Sequence, residues 1–130
     1  MDKAEKTVAT KSDVWLDEEG ILRVKFPAGV DIDVDEVKRC FAVYERLGCR
    51  EKKVLQLLDA TAPDFTFSKE ARDFAAKNGR DFFIASAIVS PHLHVRIIVN
   101  FFNSFYKHDV PFKLFGTEED ALKWLRKFKQ

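Results

Sequence analysis

The residues that could do chemistry gather between Asp59 and Ser68, in the stretch DATAPDFTFS. Asp59 closes an apolar run. Thr61, Thr66 and Ser68 place three hydroxyls ahead of a helical pattern that begins at Ser68 or Lys69. A hydroxyl at a helix N-terminus can cap the free N–H groups there. A phosphate added at that point would gain from the same N–H groups and from the helix dipole. The simpler role is structural: Thr66 or Ser68 as the N-cap, with Asp59 ordering the turn. Phe65 and Phe67 flank Thr66, either tucked beneath the loop or offering apolar surface to a partner. Asp59, Thr61, Phe65, Thr66, Phe67 and Ser68 are therefore the candidates for an interaction or switch surface.

Other chemistries fail on spacing. Asp31, Asp33 and Asp35 alternate as in the opening of a calcium loop, but the sixth position is Glu36 and the twelfth is Ala42. A calcium loop needs Gly and a bidentate Glu there. A helix start fits better, with Asp33 as cap, Glu36 reaching back to it and the acids at the positive end of the dipole. His92 and His94 stand two apart at a helix start, where side chains do not share a face, and no Cys or carboxylate follows at ligand spacing. His108 lies near a helix C-terminus, which favours a cation. No G-x-S-x-G, P-loop or Gly-rich dinucleotide turn is present. Cys40 has apolar neighbours, a poor setting for a thiolate. These residues predict no metal, no cofactor and no catalytic group.

The elements that must position the loop are read from periodicity. Lys53–Thr61, KVLQLLDAT, carries Val54, Leu55, Leu57 and Leu58 on both alternating faces. A short run of that kind suits a strand covered on both sides, and its carboxyl end is where an α/β sheet places working residues. Phe82–Val89 has the same character. Val14–Glu18 and Ile21–Phe26 predict a hairpin about a two-residue Glu19-Gly20 turn, with Leu22, Val24 and Phe26 buried and Arg23 and Lys25 wet. Helices are expected over about 34–47, 68–78, 91–107 and 117–128, capped by Asp33, by Thr66 or Ser68, by Ser90 with Pro91 at the first helical position, and by Thr117. Phe112–Phe115 is a further strand. The order is β-β-α-β-α-β-α-β-α: an α/β fold, a mixed sheet with parallel interior strands, an N-terminal hairpin and four helices.

Bulk properties narrow the function. The chain has 130 residues, 46% of them hydrophobic, with 22 basic against 21 acidic side chains. That length fits one domain, here 13–130 behind a frayed tail, 1–12. Near-neutral charge gives no global field for nucleic acid. No stretch reaches the ~20 apolar residues of a membrane span, and the polar start lacks a secretory core, which predicts a cytoplasmic protein. Cys40 and Cys49 are then expected as reduced thiols. Thirteen Phe favour a thick aromatic core, an apolar pocket or a sticky interface. The predicted third helix is apolar over a wider arc than one sheet face requires, so Ile97, Phe101 and Phe105 are candidates for a homodimer face.

The segments VLQLLDA, FSKEARDFA, AIVSP, RIIVNFF, PFKLF and TEEDALKWL, taken in this order, resemble the STAS-like superfamily over about 14–128. That group holds bacterial anti-sigma-factor antagonists and many uncharacterised bacterial relatives; the Ala-Leu-x-Trp-Leu ending looks most like the latter. The resemblance implies a regulatory, non-enzymatic module whose protein partner is a kinase or an anti-sigma-type regulator. Antagonists carry Asp-Ser-x-Gly at the head of the helix after the central strand, with the Ser phosphorylated. Here Ser68 occupies that place, followed by Lys69 and Glu70 with no Gly, and Asp59 matches the acid only loosely. A lipid-carrying branch of the same architecture implies an alternative, an apolar ligand in the Phe-rich core, which predicts a closed cavity of several hundred Å³.

Overall fold

Val54–Asp59 is the middle strand of a five-stranded sheet, as its two-sided apolar pattern requires. The computed structural model of the protein describes residues 10–105 and 110–129, without the side chains of 101, 102, 104 and 105. Its elements are β1 (Asp13–Leu16), β2 (Leu22–Lys25), β3 (Asp31–Ile32), α1 (Val34–Arg46), β4 (Val54–Asp59), β5 (Thr66–Phe67), α2 (Lys69–Asn78), β6 (Phe83–Val89), α3 (Leu93–Phe105), β7 (Phe112–Phe115) and α4 (Glu118–Leu125). Short 3-10 turns follow α2 and α4. The sheet runs β1-β2-β4-β6-β7; β1 is antiparallel to β2 and the other pairings are parallel. This is the expected mixed α/β sheet with four helices.

Side-chain alternation divides the core in two. Leu22, Val24, Phe83 and Ile88 join α1, α2 and α3 on one face. Leu55, Leu57, Ala85, Ala87 and Val89 meet Ala121 and Leu125 of α4 on the other. The β4–β6 register slips between Val54 and Leu55, which pair with Phe83 and Ala85. Ile84 is thus an extra residue on β6, so the alternation restarts beyond it.

Several expectations are corrected. The hairpin turn is longer than two residues: the Asp17 carboxylate accepts from the Glu19 and Ile21 N–H groups, and Gly20 takes φ +80. β3 and β5 form a separate two-stranded parallel ladder that two-residue segments gave no periodic sign of. α3 starts at Leu93, two residues later than the Ser90-Pro91 signal placed it. Ser90 Oγ accepts from His92 N, and Arg96 N donates to His92 O, so the chain turns once before the helix. Asp33 does cap α1, accepting from Glu36 N at 2.8 Å. The Glu36 side chain, however, does not reach back to Asp33. It is fully buried and accepts from the N–H groups of Lys11 (2.9 Å) and Ser12 (2.9 Å). Ser12 is itself buried, so the last residues expected in the tail are tied to α1.

The turn at Glu19 is clasped from the far end of the chain. Arg126 donates to both Glu19 oxygens (2.6 and 3.1 Å), and Lys129 donates to one (3.0 Å). Hydrogen bonds from these cations hold the Glu19 carboxyl down at about 2. A depressed folded value contributes stability that is present above the ordinary carboxyl range and is lost as pH falls towards 2. Glu19→Gln should therefore destabilise the protein most near pH 7 and progressively less as pH falls from 5 towards 2, where variant and parent converge, so that the variant's acid limb is flatter. Unfolding midpoints across pH measure it, and an unchanged acid limb would count against the clasp.

Candidate functional site

Three loops meet at the carboxyl ends of β2, β4 and β6. The first, 26–33, and the second, 60–68, are laced together by backbone bonds: Gly29 N to Pro63 O, Thr66 N to Val30 O and Ser68 N to Ile32 O. Thr66 Oγ1 donates to Asp31 across the β3–β5 ladder. Asp59 Oδ1 accepts from Thr61 N (3.0 Å) and Thr61 Oγ1 (2.6 Å), closing a tight turn at the end of β4. The third loop leads into α3, and His92 Nε2 lies 2.7 Å from Thr61 O. Asp64 sits at φ 61, a left-handed position Asp tolerates better than most residues. The rim is a braced surface.

Ser68 is the N-cap of α2, with Oγ accepting from Ala71 N at 3.1 Å. This is the structural role that hydroxyls before a helix suggested. Thr61 and Thr66 are exposed, and Ser68 and Asp59 are half-buried. Phe65 is the exception among the candidates. It is 3% exposed and packs beneath the loop against Phe26 and His94, with ring centroids 5.6 Å from each. Phe65 is therefore part of the core and presents nothing to a partner. Phe67, half-buried, meets Phe26 edge-on at 5.7 Å.

His92 and His94 were expected on separate faces, yet their rings stack at 5.7 Å. His92 precedes the helix, so helical spacing does not apply to the pair. No group of three or more His, Cys, Asp or Glu able to hold a metal ion occurs among the described residues. Both cysteines are buried free thiols. Burial, then the Glu36 charge, pushes the Cys40 thiol up to about 12, and burial with Glu51 pushes Cys49 up to about 11. Neither is a thiolate at neutral pH, so neither is poised as a nucleophile.

Beneath the rim, between the sheet and α1, α2 and α3, lies a cavity of about 150 Å³ that sequence patterning gave no means of finding. Phe26, Phe41, Phe65, Phe67, Phe83 and Phe112 are among its lining. In its floor, Ser86 Oγ donates to Gln56 Oε1 at 2.7 Å. Gln56 also hydrogen-bonds the Tyr44 hydroxyl, whose pKa burial raises well above its usual value. The space is smaller than the several hundred Å³ expected for a lipid, opens towards solvent and carries polar groups in its floor; its volume is about that of one benzene molecule.

On α3, Val95 and Val99 are buried, whereas Leu93 and Ile97, one turn apart, are 66% and 58% exposed. Ile97, a dimer-face candidate, thus stands on the outer face of the helix. The side chains of Phe101 and Phe105, the other two dimer-face candidates, lie outside the described residues. No described helix is long and apolar enough to cross a membrane.

A family model described as a domain of unknown function, DUF7793, matches residues 14–129. The chain belongs to the DUF7793 family. No curated protein matches this DUF7793 chain. Among solved structures it is similar to an uncharacterised protein of the DUF3478 family with a SpoIIAA-like fold from Shewanella loihica PV-4. The TM-score is 0.63 at 19% identity, over 93% of this chain and 98% of that one. It is also similar to the anti-sigma factor antagonist SpoIIAA in its unphosphorylated form, with TM-score 0.60 at 12% identity, over 88% and 97%. At these identities the likeness is one of fold: this DUF7793 chain has the SpoIIAA-like, STAS-like architecture that its segment order suggested.

Proposed function

We propose that the protein is a non-enzymatic, protein-interaction module of the regulatory STAS-like type, acting through the 60–68 loop and the start of α2. The observation that carries this is the bracing of the rim. Its hydroxyls and backbone groups are engaged by one another: Thr61 by Asp59, Thr66 by Asp31 and Ser68 by Ala71. Such a surface has little conformational freedom to lose when a partner docks, which favours affinity. Asp31, Asp33, Asp35, Asp59 and Asp64 on these loops and the start of α1 make a cationic partner face the complementary one. Since Phe65 belongs to the core, the test uses exposed positions. Cross-linked capture from the native host by the full chain should be lost in the double variant Thr66→Arg, Glu70→Lys, with circular dichroism unchanged. Equal capture by both chains would reject the surface.

The cavity supports a second reading, an apolar small-molecule binder. A ligand that fills it would bury its own apolar surface against the phenylalanines of the lining.

For the α3 face we propose a second copy of the chain as occupant, on the strength of Leu93 and Ile97 standing exposed one turn apart. Light scattering at ~10 µM, where an interface of standard size holds, should give a dimer; a monomer would remove this proposal.

A further inference from the structure

We propose that the cavity under the rim binds a single-ring aromatic carboxylate, with the ring among the phenylalanines and the carboxylate at Arg72 and Arg80. This rests on the small-molecule reading of the cavity and makes it specific. Volume sets the size: about 150 Å³ takes one six-membered ring and excludes a long acyl chain. The walls set the shape. Phenylalanine rings line the space, and a flat, rigid guest meets them edge to face without losing the rotamer freedom that an alkyl chain of equal bulk would lose. The charged lining sets the substituent. Among the described residues that line the cavity, the charged ones are Arg72 and Arg80, and none is acidic. Arg72 is half-buried, and its Nη1 donates to Phe67 O at 2.6 Å, which fixes a planar guanidinium in the wall. Arg80 is exposed and brings the same cavity within reach of solvent. An arginine in the lining of an otherwise apolar pocket suits a planar carboxylate, which accepts two parallel N–H bonds.

The test titrates the full chain, by calorimetry and by amide chemical shifts, with three probes: benzoate, toluene and laurate. Each is carried to ~10 mM where solubility allows, well above the ~1 mM dissociation constants of weak ligands. Benzoate should bind one to one and shift amides of α2 and β6, and laurate should not compete with it. Arg80→Gln, and Arg72→Gln with Arg80→Gln, should weaken benzoate at least tenfold while leaving toluene unchanged. Ala76→Phe, which fills the space, should abolish binding of both ring compounds. Toluene binding without benzoate, or benzoate indifferent to the arginine variants, would overturn the carboxylate assignment and leave the small-molecule reading standing. Laurate binding more tightly than benzoate would overturn the ring. Failure of all three probes would remove both readings.

Discussion

Glu36→Ala should cost about 3 kcal/mol of folding stability, because its buried carboxylate is the acceptor for two buried or part-buried backbone donors. Lys11 N and Ser12 N both donate to it, Cys40 Sγ approaches it at 3.7 Å, and Arg39 Nη2 lies 3.4 Å away. Truncation leaves those donors and a neighbouring guanidinium without their acceptor, and each orphaned buried group costs about 1–3 kcal/mol. Glu36→Gln keeps one carbonyl oxygen and nearly the same shape, so its cost should be about half. Urea unfolding gives both values. Limited trypsin digestion gives the local consequence, faster cleavage after Lys11 in the alanine variant. A cost under about 1 kcal/mol for Glu36→Ala would show that the amino-terminal residues contribute nothing through this contact.

Phe41→Ala should cost about 3–5 kcal/mol, the usual toll for removing a buried ring. Phe41 stands at the centre of the aromatic cluster, with ring centroids 5.0 Å from Tyr44, 5.2 Å from Phe74 and 5.2 Å from Phe82. Each such pair adds about 0.5–1.5 kcal/mol beyond simple burial. The ring also lines the cavity, so its removal enlarges that space. The variant should melt at lower temperature and regain part of the loss with naphthalene, which the native cavity is too small to admit. Phe41→Leu, keeping more of the volume, should lose less and gain nothing from naphthalene. Equal melting of Phe41→Ala with and without naphthalene would show that the core collapses into the space instead.

What the sequence makes legible follows from the range of the interactions. Asp33, Ser68 and Thr117 cap helices by bonding N–H groups three residues on, so local pattern reveals them. The two-sided apolar runs of β4 and β6 betray their place in the middle of the sheet. Glu36 was misread because its partners lie 24 and 25 residues upstream, beyond any helical rule. Phe65 and Phe67 alternate about Thr66, yet only packing decides that the first goes fully under. β3 and β5 are too short for a period. The cavity is a shortfall between the volume enclosed and the volume filled, a quantity no pattern of residue types encodes.

The β3–β5 ladder ties together the motions of the two segments that form it. The amide of Thr66 is held by the Val30 carbonyl and that of Ser68 by Ile32, so neither proton can exchange with solvent while the opposite segment stays in place. Local opening on either side must break the same two bonds, and the protection factors of Thr66 and Ser68 should therefore rise and fall as one cooperative unit.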